Sequence, residues 1–435
     1  MTSTAWVKLW GTTIGAVTLD EPGGVANFQY DPAFVKSDIQ VSPLQMPLSN
    51  QVFSFAALRK ESFHGLPGML ADSLPDKFGN RVIDAWLANQ GRLPESFDAV
   101  ERLRYTGSRG MGALEYAPPE VSLDKSTVVD MPELVELANR VLQEKIDFNT
   151  KFEKSDHNKS DALNDIVKVS SSAGGARAKA LIAWNEATGE IRSGQTIAPE
   201  GFSYWLLKFD GVSNNKDKEL ADPQGYGIVE YAYHLMAVAA GIEMTECRLL
   251  KENGRNHFVT RRFDRLNDGS KLHMQSLCGL AHFDFNSAGD YSYEEAMNVM
   301  RHLELGLDAV EQQFRRMIFN VVARNHDDHT KNIAFLMDRK GKWSLAPAFD
   351  VIYSWNKDGD WTNQHQMSIN GKRDNFVLED FLECGRRASL KSGRVKSIIN
   401  EVQKSVLDWS DFATKAGLSE KQAAQYKLGH RQIIA

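Results

Sequence analysis

The stretch Asn325-His326-Asp327-Asp328-His329-Thr330-Lys331-Asn332 decides how this chain is read. Upstream, Phe314, Met317, Ile318 and Val321 recur at helical spacing and give an apolar helix face. Downstream, residues 333–337 form an apolar run of strand type. A segment this polar between two buried elements costs desolvation energy unless its groups are paired or bind a ligand. Residues 338–342 then read as a turn, and residues 343–349 as a returning strand that ends at Asp350. A hairpin brings its ends together, so Asp350 is expected near Asn332 and Asp327. Oxygen ligands on a rigid hairpin, beside a carboxylate that can accept a hydroxyl proton, suit a magnesium–nucleotide site.

Protein kinases place a catalytic Asp, an Asn five positions later as a metal ligand, and a second Asp beyond a short hairpin. Asp327, Asn332 and Asp350 repeat that pattern, with Asp327 as the base and Asn332 and Asp350 as the metal ligands. The first spacing alone is common by chance. The same residues leave other readings open: a metal phosphohydrolase built on His326-Asp327, a transition-metal site from His326, Asp327, Asp328 and His329, or a solvated acidic loop.

Working back toward the N-terminus, the other parts of a nucleotide site occur in the expected order. Ser170-Ser171-Ser172-Ala173-Gly174-Gly175-Ala176-Arg177-Ala178-Lys179 is a small-residue loop between strand-like segments. Its N–H groups could approach phosphates, with Lys179 or Arg177 neutralising them, although such runs are commonly plain surface loops. Lys208 ends the apolar run Trp205-Leu206-Leu207 and suits a phosphate-pairing lysine; the alternative is an exposed strand end. Glu230 opens the next helix and could pair with Lys208, or be a first-turn Glu favoured by the helix dipole. The strand 257–263 lies where a hinge between lobes should begin, with Arg261 to Phe263 offering backbone groups to adenine.

The remainder of the chain bounds the answer. Its 435 residues predict two to three folding units. The N-terminus reads as a hairpin, residues 6–10 and 14–19, with a third strand at 26–30. Residues 54–89 are helical in pattern, interrupted by Gly65, Pro67 and Pro75. Residues 102–116 hold Gly107, Gly110 and Gly112 and read as a loop entering a strand, and Pro118-Pro119 suggests a boundary. Residues 132–146 form an amphipathic helix, and the chain from Tyr293 onward reads as mainly helical apart from residues 333–352. The fold class is therefore α+β, divided into a β-rich module with helices over 1–120, an α+β lobe over 121–262 and a mainly helical lobe over 263–435. Cys247, Cys278 and Cys384 are scattered and odd in number, which suggests reduced thiols in a cytosol. No apolar run approaches a membrane span and no secretory signal opens the chain. A net charge of −6 argues against strong autonomous binding to nucleic acid.

With these motifs in place, the sequence resembles the HipA family of toxin kinases. The resemblance rests on residues 325–335, on Leu345-Ala346-Pro347-Ala348-Phe349-Asp350-Val351-Ile352, on the loop Ser172 to Lys179, on the hinge-like Val259-Thr260-Arg261-Arg262-Phe263-Asp264-Arg265, and on the N-terminal hairpin with residues 97–116. It implies a kinase-like bilobal fold behind a small N-terminal module, and a cytoplasmic serine/threonine kinase using ATP and Mg²⁺. Asp327 would be the base, Asn332 and Asp350 the metal ligands, and Lys208 the phosphate lysine paired with Glu230. Ser172, Ala173, Gly174, Gly175, Lys179, Arg261, Phe263, His329 and Lys331 would contact ATP. Ser172 would be the residue that self-phosphorylation uses to switch the enzyme off, by adding about two negative charges beside ATP, with Ser170 and Ser171 as competing acceptors. The resemblance further implies a separate HipB-like helix-turn-helix antitoxin, operator DNA reached through it, and a cytosolic protein substrate such as an aminoacyl-tRNA synthetase. Gly175 and Arg177 depart from residues common in the family's loop, and Val351 stands where ordinary protein kinases have Gly. A solitary kinase without an antitoxin, or a non-catalytic corepressor of a helix-turn-helix partner, are the alternatives.

Overall fold

The computed structural model describes residues 2–121, 127–143, 177–212, 224–266 and 268–431. Most of the phosphate-loop candidate, Ser170 to Ala176, lies outside the described residues.

Alternation builds the first sheet. In β1 (Ser3–Leu9), Ala5, Val7 and Leu9 are buried while Thr4 and Trp6 face outward, the period of a half-buried strand. Strands β2 (Thr12–Leu19), β3 (Asn27–Tyr30), β4 (Val52–Phe53) and β5 (Leu114–Ala117) complete an antiparallel sheet in the order β4-β3-β2-β1-β5. The helix-like stretch that follows breaks at its glycine and prolines into Lys60–Phe63, Gly68–Ala71 and Lys77–Asn89. The expected loop at 102–116 is corrected in its first part: Ala99–Thr106 is a helix, started by an Asp98–Glu101 capping box, and the glycines act only beyond it.

A second antiparallel sheet, ordered β7-β6-β8-β10-β9, comprises β6 (Lys179–Trp184), β7 (Ile191–Ser193), β8 (Ser203–Lys208), β9 (Cys247–Glu252) and β10 (Arg255–Arg261). Buried residues of β6 and β8 share a core with the helices Lys77–Asn89 and Met131–Gln143. Helix Tyr226–Ala239 packs against the same sheet through β9 and β10.

The rest is built on helix Leu307–Val322, whose Phe314, Met317, Ile318 and Val321 are all buried. It packs on helix Ser392–Leu407 and, at its far end, delivers the polar stretch 325–332. Strands β11 (His273–Ser276), β12 (Ala334–Met337) and β13 (Trp343–Leu345) form a small antiparallel sheet. The β12–β13 turn closes as the sequence predicts: Asp338 Oδ1 accepts from the N–H groups of Lys340 and Lys342 at 2.8 and 3.0 Å, with Gly341 at φ +81°. Residues 353–377 hold no helix, so the expectation of a mainly helical C-terminal half outside 333–352 is corrected over that span. Backbone polar groups there reach long-range partners instead, such as Ser368 N–H to Tyr291 O at 2.9 Å.

Residues 2–121, the N-terminal module, do not keep a core to themselves. Ala5, Val17, Phe28 and Leu70 belong to one continuous apolar cluster with Leu280, Phe319 and Val402. Polar contacts follow the same seam: Trp10 Nε1 donates to Lys271 O at 2.8 Å, Gln275 Nε2 to Val41 O at 3.1 Å, and Ser276 Oγ to Asp72 at 2.7 Å.

Candidate functional site

The three elements that deliver the motif residues converge on one cleft that opens to solvent. Its walls come from β8 and β10 (Lys208, Phe258, Thr260, Arg261), from helix Tyr226–Ala239 (Glu230), and from the polar stretch and hairpin end (Lys331, Asn332, Phe349, Asp350). Asp72, Ser73 and Met111 of the N-terminal module close it from a side that no sequence motif indicated.

Lys208 is the electrostatic centre. Its ammonium is buried and forms ion pairs with both Glu230 and Asp350, so it is no exposed strand end. Glu230 is not a first-turn solvent group either. It is the fifth residue of its helix, 1% exposed, and also accepts from Arg177 Nη1 at 2.8 Å. Burial alone would lower the Lys208 pKa, but Asp350 and Glu230 outweigh it and hold the ammonium above its ordinary value. Burial likewise pushes Asp350 upward, and Lys208 with Lys179 overrides it, bringing its carboxyl down to about 2. Asp350 is therefore an anion at any working pH, with φ +52° in the left-handed region that Asp tolerates better than most residues.

Asn332 and Asp350 line the same cleft. Asn332 Nδ2 donates to Asp327 O at 2.8 Å. Its N–H group is thus engaged, and the amide oxygen is the end left for a ligand. Hard divalent cations take such oxygen donors, so a carboxylate held ionised and an oriented amide fit magnesium. The alternative transition-metal cluster does not form: among the described residues no group of three or more His, Cys, Asp or Glu side chains could hold an ion. Asp328 is buried and consumed by Tyr293 Oη, Gln366 N and His365 Nδ1, all within 2.8 Å, and the His326 ring lies 4.0 Å from that of His365, tilted by 35°. These groups brace the loop.

Asp327 itself is half-buried, with its N–H donated to Ser354 Oγ at 2.9 Å. Trp361 Nε1 donates to its Oδ1 at 2.7 Å, and His329 Nε2 lies 3.8 Å from that oxygen. His329 lines a smaller adjoining cavity with Asn332 and Asp350, and not the main cleft. Lys331 lines the cleft and sits 5.0 Å above the Phe285 ring. At the hinge, Arg261 and Phe263 line the cleft, with Phe263 5.7 Å from Phe349. The N–H groups of Arg261 and Arg262 are spent on Glu246 O and Tyr204 O at 2.8 and 2.9 Å. These two amides are therefore engaged just beyond the end of the sheet ladder and are not offered to the cleft. Lys179 is buried at the head of β6, 3.8 Å from Asp76. Ser172, Ala173, Gly174 and Gly175 lie outside the described residues, as do Ser170 and Ser171. Sequence reasoning missed Asp76, Trp361 and the cleft-lining Asp72, Ser73 and Met111. Only the Asp76 N-cap had a local signal, a carboxylate just before a helix.

The family description HipA-like C-terminal domain matches residues 171–410, and HipA N-terminal domain matches residues 5–117. The chain belongs to the HipA family. A solved structure of the Shewanella oneidensis MR-1 toxin–antitoxin system HipA, HipB and its operator DNA complex matches with a TM-score of 0.68 at 16% identity, covering 98% of this chain and 95% of that one. Its likeness is one of fold, and the expected class holds: α+β and kinase-like, with two lobes behind a β-rich N-terminal module. A protein named "Putative kinase" from Haemophilus influenzae is 27% identical over 161 residues, 33% of this chain and 47% of that protein. "Putative kinase Y4mE" from Sinorhizobium fredii is 25% identical over 126 residues, 27% and 30% of the two chains. The matches thus span less than half the length of these relatives. Among the described residues no helix is long and apolar enough to cross a membrane.

Proposed function

We propose that this HipA-family chain is an ATP- and Mg²⁺-dependent serine/threonine protein kinase, working in the cytoplasm as the toxin of a toxin–antitoxin pair. The observation that carries this reading is the buried Lys208 ammonium, bound at once to Glu230 and to Asp350 in the wall of the cleft that also holds Lys331 and Asn332. Buried charge this concentrated is expensive as scaffolding, and it matches what phosphoryl transfer asks for: position and charge neutralisation.

The geometry supports the following roles. Lys208 would exchange part of its pairing with Asp350 for the phosphates of ATP, and Glu230 would keep it extended. Asn332 and Asp350 would hold magnesium, which when bound neutralises charge on the phosphates. Asp327 Oδ2 would accept the proton of a substrate Ser or Thr hydroxyl, while Trp361 occupies Oδ1. Lys331, Phe263 and Arg261 would contact the nucleotide from the cleft walls, and His329 would act on the base from the adjoining cavity. Ser172, in the loop leading to Lys179, would be the self-phosphorylation site. The lobes would divide at about residues 120 and 262. Likeness to a HipA chain solved with HipB and operator DNA supports a HipB-like helix-turn-helix partner, and a cytosolic protein such as an aminoacyl-tRNA synthetase would be the substrate.

Transfer of radiolabel from ATP to the chain itself or to cytosolic protein is the test. Asp327→Asn and Asp350→Ala are each expected to reduce it at least about a thousandfold, the scale of losing a base or a metal ligand. Full transfer in both variants would reject the proposal.

A further inference from the structure

The acid at position 76 belongs to the N-terminal module but ends at the nucleotide site. Asp76 caps helix Lys77–Asn89, its Oδ1 accepting from Gly79 N at 2.6 Å. That accounts for one oxygen. The other, Oδ2, is buried and receives no hydrogen bond, and lies 3.8 Å from Nζ of Lys179. Both side chains are only 2% exposed. An N-cap needs a single acceptor, which neutral Ser, Thr or Asn supplies. Burying a full carboxylate for that purpose costs more than any of these, so its second oxygen calls for an electrostatic reason.

The sheet provides one. Lys179 stands opposite Lys208 in the β6–β8 register, and both lysines act on the same carboxylate, Asp350. Like charges directly opposite on neighbouring strands repel. Asp76 approaches from outside the sheet and gives one ammonium a separate counter-ion. The result is a neutral set of Asp76, Lys179, Asp350, Lys208, Glu230 and Arg177, three of each sign.

We infer that Asp76 is a positioning residue of the nucleotide site, sharing the Lys179 ammonium so that less of its charge bears on the carboxylate of Asp350, which serves Lys208 and the metal. The inference rests on the nucleotide reading of the cleft. Without the Asp76 charge, more of the Lys179 charge bears on Asp350, where it competes with magnesium. That weakens binding of the triphosphate and leaves recognition of the nucleoside intact.

Asp76→Asn preserves the cap acceptor and the side-chain volume and removes only the charge. Calorimetry on the full chain would compare magnesium–ATP with adenosine. We expect ATP to bind about tenfold more weakly, the loss that goes with one charge-assisted contact, and adenosine to bind as in the parent. In a Lys179→Met background the same substitution should add nothing. Should Asp76→Asn fail to fold, Asp76→Ser, also a good cap, takes its place. Unchanged ATP affinity, or an equal loss for ATP and adenosine, overturns the inference and leaves the nucleotide reading standing. A parent chain that binds neither ligand takes both down together.

Discussion

Replacing Asp264 by Ala removes the anion at which three segments meet. The carboxylate is fully buried and accepts four hydrogen bonds: from Arg262 Nε and Nη2 at 2.9 and 2.7 Å, from Arg265 Nη1 at 2.8 Å, and from Gly112 N at 2.7 Å. Arg265 also donates to Gly110 O and Gly112 O at 2.9 and 3.0 Å, so the hinge and the N-terminal module share this charge. Gly112 sits at φ +72°, and a Cβ there would come within 2.7 Å of Met274 N; glycine alone permits the approach. Breaking a buried pair from one side costs about 3–5 kcal/mol because the partner charge stays uncompensated. Two guanidinium groups would be stranded together here, so we expect about 4 kcal/mol for Asp264→Ala. Asp264→Asn keeps an acceptor and should lose about 2 kcal/mol. Urea unfolding followed by circular dichroism, with limited proteolysis of residues 2–121, measures both. A loss below about 1 kcal/mol, the level of an exposed pair, would refute the reasoning. The pH dependence has a definite sign. Burial would raise the Asp264 carboxyl, but Arg262 and Arg265 hold it well below the usual carboxylate range. Its stabilisation is thus present above about pH 4, the unfolded value, and is lost as the pH falls further. The Asn variant should lack that part of the acid sensitivity.

Two more outcomes follow from the side chains around the loop and the small sheet. Trp361→Phe, which deletes the 2.7 Å donor to Asp327 and keeps the ring, should lower kcat about tenfold and leave KM for ATP unchanged; steady-state kinetics with unaltered kcat would exclude a role for the indole. Burial holds His273 neutral, down to about 3, so the unfolded chain binds the extra proton below pH 6.5. Stability should fall by about 2 kcal/mol from this group between pH 7 and pH 5, and His273→Gln should flatten the midpoint-versus-pH curve by that amount.

What the sequence made legible was what local pattern can carry. The hairpin at the N-terminus, the helix–loop–strand around Asp327, the turn at 338–342 and the lysine strand at 203–208 all obey alternation, helical periodicity or turn chemistry within a few residues. The helix Ala99–Thr106 was obscured because three glycines just beyond it outweighed a capping box. Strands β9 and β11 lack clear alternation of buried and exposed residues. Residues 353–377 resisted reading for another reason: backbone groups such as Ser354 N–H and Ser368 N–H are satisfied by distant partners, and no period announces that. Asp76 to Lys179 and Trp361 to Asp327 are links across 103 and 34 residues. Each needs the finished fold to bring the partners together, so neither could be read from spacing.

The continuous apolar cluster joining Ala5 and Phe28 to Phe319 and Val402 sets a timetable for synthesis. The first sheet leaves the ribosome early, but the surface it must cover lies up to about 400 residues further on, roughly 20 to 80 seconds at ordinary elongation speeds. Until then its inner face has no complete partner and is exposed to proteases and chaperones. A nascent chain cut short between Asp350 and Val402 would carry the proposed base and metal ligands without a finished foundation beneath them.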